Sequence, residues 1–360
     1  MNELLRSRLE ARKQENSFRQ LTLPKGEIDF FSNDYLGLSK DSEPNSSSLA
    51  GSTGSRLLSG NSNEANEAEK CLAKFFDSEC TLVFNSGYTA NLGIMSSVPQ
   101  RGDCILYDEL VHASIRDGIR LSNAKAISFK HNDTSDLEKQ ISKISGTIYI
   151  VVESLYSMDG DMAPLRRIIE ISKNSGAFLI VDEAHAVGVF GWEGRGIVHG
   201  REIIEDVFAR IVTFGKAFGF HGAAVLGSDE LISYLVNFAR PFIYTTALPP
   251  SDYKVIMQRI ERPDIRDRQI KLHDNLNYFR SKLNISTKSE VNSPIQVFQF
   301  GSKDAVIEVS KKLISQGIYT KPIFSPTVPT GEERIRLCFH SYNTIGEIDE
   351  LLNLLNQSKF

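Results

Sequence analysis

Apolar residues recur along this chain at two periods, and the alternation between them is its main architectural signal. Short apolar runs such as Thr81-Leu82-Val83-Phe84 and Phe178-Leu179-Ile180-Val181 have the length and composition of buried strands. Between such runs lie stretches with apolar positions every three or four residues, the spacing that covers one helix face. The pattern predicts strands over 104–107, 126–130, 147–152, 178–181 and 211–214, with helices over 112–121, 136–144 and 165–174. Strands and helices that alternate in this way form a mostly parallel sheet covered on both faces. Ligand-binding groups collect at the carboxyl ends of its strands.

The flanking regions read differently. Residues 2–19 carry Leu4, Leu5 and Leu9 among charges, an amphipathic helix that docks on a larger body. Residues 28–38 predict a short aromatic strand running into an Asn-Asp turn. The small and hydroxyl residues of 51–61 form a loop before a helix over 64–76. Beyond Pro249-Pro250, helices at 253–260 and 265–283 and short strands near 295–300, 319–322 and 334–339 predict a smaller α+β domain. The expected division is 1–45 as an N-terminal, substrate-proximal segment, 46–248 as the large domain and 249–360 as the C-terminal domain.

Composition narrows the function classes. A chain of 360 residues exceeds one ordinary core, in line with that division. A net charge of -4 without a basic run offers no footprint for nucleic acid or an anionic membrane. Cys71, Cys80, Cys104 and Cys338 are scattered without a CxxC pair, so neither a metal site nor a disulfide framework is expected. Free thiols in a reducing cytoplasm are. The first residues lack the apolar core of a signal peptide, and no later run is long enough to span a bilayer.

Candidate chemistry centres on Lys216, set between glycines after an apolar strand in Thr213-Phe214-Gly215-Lys216-Ala217-Phe218-Gly219. A desolvated lysine there becomes a nucleophile towards an aldehyde. A plain turn is the alternative, and a phosphate-binding P-loop fails because Ala217 stands where Ser or Thr is needed. Asn85-Ser86-Gly87-Tyr88 joins a strand to a helix start, where unpaired N–H groups suit a phosphate. Asp182 ends an apolar strand, and a buried carboxylate needs a cationic partner. A protonated pyridine nitrogen would serve, so lysine, aspartate and phosphate cradle together suggest pyridoxal phosphate. As local readings, Asp182 as a cap or ion-pair member and Asn33 as a turn residue stay open.

Beyond these local readings, Ser32-Asn33-Asp34-Tyr35-Leu36-Gly37-Leu38, the loop 51–61, Ser157-Met158-Asp159-Gly160-Asp161, Val181-Asp182-Glu183-Ala184-His185, Thr213-Phe214-Gly215-Lys216 and Tyr244-Thr245-Thr246-Ala247-Leu248-Pro249-Pro250 occur in an order that resembles the α-oxoamine synthase family. The resemblance runs along nearly the whole chain. It implies the fold-type I architecture of pyridoxal-phosphate enzymes: a large α/β domain with a mostly parallel seven-stranded sheet and a smaller α+β domain, assembled as a homodimer with shared active sites. Gly222-Ala223-Ala224-Val225 and Pro326-Thr327-Val328-Pro329-Thr330-Gly331 most resemble the branch that condenses L-alanine with a pimeloyl thioester, on coenzyme A or an acyl carrier protein, in biotin synthesis. A relative using glycine or serine, one of the 2-amino-3-ketobutyrate ligase type, and a non-catalytic regulator that retains the cofactor are the alternatives.

Carried over motif by motif, the resemblance makes Lys216 the covalent anchor and proton carrier and Asp182 the partner of the pyridine nitrogen. His185 and Ser157 match residues bonding ring substituents, and His112 one stacking on the ring face opposite Lys216; by itself, His112 also suits a cap or core position. Gly87, Tyr88 and Thr213 match positions that hold the cofactor, largely at its phosphate, and Thr246 one that reaches the phosphate from a second subunit. Arg336 matches the residue gripping the amino-acid carboxylate, a task for a bidentate guanidinium, with Arg334 the weaker choice on the same strand face. Arg19, Asn33 and Thr327 match substrate-proximal positions. Two departures fall near the acyl entrance: a short segment over 41–51, and Ile323-Phe324-Ser325 where the family often has a basic residue.

Overall fold

The computed structural model describes residues 3–14, 18, 26–41, 50–300, 302–325 and 327–356. Its strands are β1 (Ile28–Asp29), β2 (Cys80–Phe84), β3 (Cys104–Asp108), β4 (Lys125–Phe129), β5 (Ile148–Glu153), β6 (Phe178–Asp182), β7 (Ala209–Thr213), β8 (Ala223–Gly227), β9 (Ile295–Gln299), β10 (Ile318–Tyr319), β11 (Lys321–Ile323) and β12 (Arg334–Cys338). Seven of them form one sheet in the order β2-β8-β7-β6-β5-β3-β4, parallel except for β8, which runs antiparallel to both neighbours.

The apolar runs are what bury this sheet. Successive side chains point to opposite faces, so Ile150, Val152, Val181 and Val212 enter one core while Val151, Ile180 and Ile211 enter a second. Helices over the two faces complete both cores, as the alternating pattern predicts. The helices Asn63–Phe75, Ala113–Leu121, Thr134–Ile141, Leu165–Ser175, Pro250–Ile260 and Ile265–Lys282 fall within a few residues of their expected bounds. Helices Asp229–Phe238, Lys303–Ser315 and Ile345–Asn356 were not expected.

Strand β8 also escaped the sequence reading, and it matters most to the site. An antiparallel neighbour can follow β7 through a short connection, with no crossover helix. Phe214 N–H donates to the Gly222 carbonyl at 2.9 Å and Phe220 N–H to that of Phe214 at 2.8 Å, closing a tight hairpin with Lys216 in its loop. Gly219 takes φ +61° there, and a Cβ on it would lie 2.2 Å from the backbone nitrogen of Ser39. Glycine is thus the residue that lets the lysine loop seat against the N-terminal segment.

In that segment, predicted as a short aromatic strand running into an Asn-Asp turn, the strand is shorter than expected. Only Ile28–Asp29 pair, in parallel with β10. The Asp29 carboxylate accepts from the N–H groups of Phe31 and Ser32, both at 2.9 Å, a local turn that takes those donors out of any ladder. Phe30, Tyr35, Leu36 and Leu38 are instead buried as anchors. The C-terminal region supplies an antiparallel sheet, β11-β12-β9, and the strand expected over 319–322 is divided between β10 and β11. Cys338 N–H donates to the Phe30 carbonyl and Ser341 N–H to that of Tyr35, both at 2.8 Å, tying the N-terminal segment to this sheet.

Candidate active site

The carboxyl ends of β5, β6 and β7 meet the helix that follows β2 around a cavity of about 330 Å³. At its mouth Ser86 caps helix Gly87–Ser97: its hydroxyl accepts from Thr89 N–H at 3.2 Å, while Thr89 Oγ1 accepts from Ser86 N–H at 3.1 Å. The box satisfies Ser86 and Thr89 and leaves the first helical N–H groups, at Gly87 and Tyr88, facing out of the helix end. A Cβ on Gly87 would sit 2.7 Å from Thr213 Cγ2, so the backbone there is bare by necessity. This is an anion cradle.

Asp182 ends β6 deep in the cavity, 5 % exposed. Its Oδ2 accepts from Asn91 Nδ2 at 2.7 Å and its Oδ1 from Ala184 N–H at 2.8 Å, so the cap-like role exists. It forms no ion pair with a Lys or Arg among the described residues, which leaves lone pairs for a cation brought by a ligand.

Glu153 ends β5 directly beside it, in register with Asp182 across the sheet. Burial, then the Asp182 charge, push the Glu153 carboxyl up to about 8, against the pull of Lys216. Its Oε1 accepts from the His112 backbone N–H at 2.6 Å. His112 caps the helix Ala113–Leu121, its Nδ1 lying 2.8 Å from Ser114 Oγ and 3.2 Å from Ser114 N. The imidazole is both cap and cavity wall. Crowding by protein lowers its pKa, aided by Lys216 and opposed by Asp182, although the ring remains open to the cavity.

His185 is set by a relay with a readable direction. Arg336 Nη2 donates to Asn33 Oδ1 at 2.9 Å, which identifies that atom as the amide oxygen, and Tyr35 Oη donates to the same atom at 3.1 Å. Tyr35 Oη must then accept from His185 Nδ1, 2.8 Å away, leaving Nε2 an acceptor. Burial first, then the positive charge of Lys216 and Arg336, hold His185 well below its ordinary pKa, in keeping with a neutral ring.

Lys216 reaches this group from the hairpin. Burial of its ammonium among protein atoms lowers its pKa to about 8, partly offset by Asp182 and Glu153 and reinforced by Arg336. On β12, Arg336 is 7 % exposed, donates to the Ser157 carbonyl at 2.6 Å and pairs with no carboxylate among the described residues. Arg334, on the same face, is spent on Glu332 and Asp159.

Asn33, Gly87, Tyr88, His112, Asp182, His185, Thr213 and Lys216 thus line one cavity. Ser157 and Thr327 line an adjoining one of about 420 Å³ that shares His112. Thr246 is exposed and lines neither cavity, its carbonyl accepting from Asn85 Nδ2 at 3.0 Å. Arg19 lies outside the described residues. Sequence reasoning missed Asn91 and Glu153; a carboxylate ending the apolar run Ile148-Tyr149-Ile150-Val151-Val152 was the available signal for Glu153. A larger open cavity of about 970 Å³ around Trp192 and His199 lies elsewhere. The converging, pKa-displaced groups select the smaller one. Among the described residues no cluster suits a metal ion and no helix is long and apolar enough to cross a membrane.

A mostly parallel sheet with a lysine hairpin, a strand-end aspartate and a helix-start anion cradle defines the class: a fold-type I pyridoxal-phosphate enzyme. The chain belongs to the family described as aminotransferase class I and II, whose model matches residues 25–355. It is 38% identical to 8-amino-7-oxononanoate synthase of Emericella nidulans over 99% of this chain and 95% of that one. The synthase of Lysinibacillus sphaericus is 37% identical, over 91% and 87%. Among solved structures, the chain is similar to the 8-amino-7-oxononanoate synthase of Francisella tularensis, with a TM-score of 0.77, 31% identity and coverage of 92% and 97%. The serine palmitoyltransferase of Sphingomonas wittichii matches with a TM-score of 0.88, 27% identity and coverage of 99% and 96%.

Proposed function

We propose that this pyridoxal-phosphate-dependent acyltransferase condenses L-alanine with a pimeloyl thioester, carried on coenzyme A or an acyl carrier protein. The products are 8-amino-7-oxononanoate, carbon dioxide and the free thiol carrier, in biotin synthesis. The observation that carries the reading is a lysine with a depressed pKa, Lys216, sharing one cavity with a buried carboxylate, Asp182, that forms no ion pair with a Lys or Arg among the described residues. The names of full-length relatives support the choice of substrates.

Bound pyridoxal phosphate supplies a conjugated ring that takes up the electron pair left when a bond at the amino-acid Cα breaks. Lys216 would hold the cofactor through Nζ and, when its amine is free, would take the proton from the alanine Cα and return one there. Asp182 would accept from the ring nitrogen and keep it protonated, while Asn91 and Ala184 hold the carboxylate in place. Gly87, Tyr88 and Thr213 would receive the phosphate, with Thr246 contributed by a second subunit. His112 would cover a face of the ring, and His185 and Ser157 would bond ring substituents. Arg336 grips the alanine carboxylate through its fork, with Asn33, Thr327 and Arg19 along the substrate.

On this reading residues 46–248 hold the cofactor, 249–360 bring Arg336, and 1–45 bring Asn33. Four free cysteines support a reducing, cytoplasmic setting. The test offers alanine, glycine and serine with acyl thioesters of several lengths and identifies products by mass spectrometry. The amino ketone from alanine and a pimeloyl thioester should dominate, and a dominant glycine or serine product overturns the assignment.

A further inference from the structure

In the adjoining cavity of about 420 Å³, Leu110, Val111, Tyr156, Met158, Val328 and Pro329 form the apolar part of a mixed wall. Two guanidinium groups reach it. Arg334 is committed, pairing with Glu332 at 2.9 Å and with Asp159, and donating to the Met158 carbonyl at 3.1 Å. Asp159 and Glu332 are the carboxylates lining this cavity, so one arginine holds both wall anions. Arg116 differs. It donates to the backbone carbonyl of Glu109 and forms no ion pair among the described residues, leaving most of its fork unused.

Its position relative to the reacting centre is fixed by helix geometry. Arg116 follows His112 by four residues at the start of helix Ala113–Leu121, which puts both on one face, about 6 Å apart along the axis. His112 lines both cavities, so a chain entering from the cofactor side passes it first. Extended backbone advances about 3.5 Å per three bonds, so the six bonds between the carboxyl carbons of a seven-carbon diacid span about 7 Å. A partly apolar trough that has among its lining residues a guanidinium without an ion pair among the described residues suits a chain with a carboxylate at its far end.

We propose that Arg116 receives the distal carboxylate of a dicarboxylic acyl chain and so selects diacyl over monoacyl thioesters. The inference rests on the acyl-condensing reading above and adds the residue that chooses the acyl group. The bond formed is a charge-assisted fork to carboxylate in a partly apolar trough, where it exceeds its strength in open water. A monocarboxylic chain of equal length leaves Arg116 solvated and unpaired. The expected preference is therefore moderate, about tenfold, equivalent to about 1.4 kcal/mol.

The test uses the holoenzyme with alanine and, in turn, pimeloyl-CoA, its monomethyl ester and heptanoyl-CoA. Wild type should favour the free diacid over both neutral-ended chains by about tenfold or more in kcat/KM. Arg116→Gln should bring the three substrates close to parity by raising KM for pimeloyl-CoA while KM for alanine stays put, and Arg116→Lys should recover part of the preference. An unchanged preference in Arg116→Gln overturns the inference. If that variant does not fold, wild type decides alone: equal use of the diacid and its monomethyl ester overturns it too. Failure of wild type to condense any of the three with alanine overturns the acyl-condensing reading itself.

Discussion

Lys216 and Asp182 derive their chemistry from surroundings that neither residue type specifies. An ordinary lysine is charged at neutral pH; here dehydration by the protein lowers the amine to about 8, and Asp182 and Glu153 keep it from falling further. The neutral amine is the form that captures an aldehyde, so covalent loading of apo-protein with pyridoxal phosphate should accelerate as pH rises and level off above a midpoint near 8. Stopped-flow absorbance across pH checks this, and a midpoint near the ordinary lysine value of 10.5 would contradict it. Since Glu153 titrates in the same range, the midpoint belongs to the coupled group, and Glu153→Gln should move it. Borohydride reduction and peptide mapping should find the label on Lys216 and none in Lys216→Ala. Lys216, Asp182 and His185 stand out in the chain as motif residues. Glu153 does not, because its meaning comes from a neighbour, Asp182, on an adjacent strand.

Strand ends and the loops after them are pinned by polar clusters as much as by apolar cores. His131, just beyond β4, lies 2.9 Å from Asp108 at the end of β3 and 2.8 Å from Asp161 in the loop that carries Ser157. Burial opposes its charge, but hydrogen bonds to Asp108 and Asp161 outweigh it and raise the imidazole to about 10. A raised folded-state pKa means that this stabilisation is complete below the unfolded value of 6.5 and is lost as pH climbs through about 10. His131→Asn should therefore cost about 2 kcal/mol at pH 6 and progressively less toward pH 10, measured by urea unfolding. A cost that does not vary with pH would show that the imidazolium is not the stabilising species. The expected alternation of elements is present because buried strands and amphipathic helices have distinct periods. β8 was missed because Ala223-Ala224-Val225-Leu226-Gly227 is short and small and resembles a loop until β2 and β7 bracket it.

The whole molecule leaves a patch that bears on assembly. Leu58 is 81% exposed and Tyr244 71%, on the two segments joined by the bridge between Ser55 and Thr246. Thr246 is exposed and is not among the residues lining the cavity of its own chain, which leaves it available to a second subunit. A two-fold dimer covers such a patch. Sedimentation should show a dimer, and Leu58→Asp should shift it toward monomer with loss of activity. A fully active monomer refutes the shared site. By itself the sequence determined the central-sheet strands other than β8 and most of the helices, and it singled out Lys216, Asp182 and Gly87-Tyr88 as candidate site residues, because periodicity and motif spacing are local properties of a chain. It did not determine that Glu153 stands beside Asp182 or that Tyr35 and Asn33 orient His185. Nor did it determine that Arg334 is spent on Asp159 and Glu332 while Arg336 and Arg116 pair with no carboxylate among the described residues. Those outcomes depend on which charges lie within a few ångströms across strands distant in sequence, and desolvation and Coulomb energies exist only once the tertiary fold has set those distances.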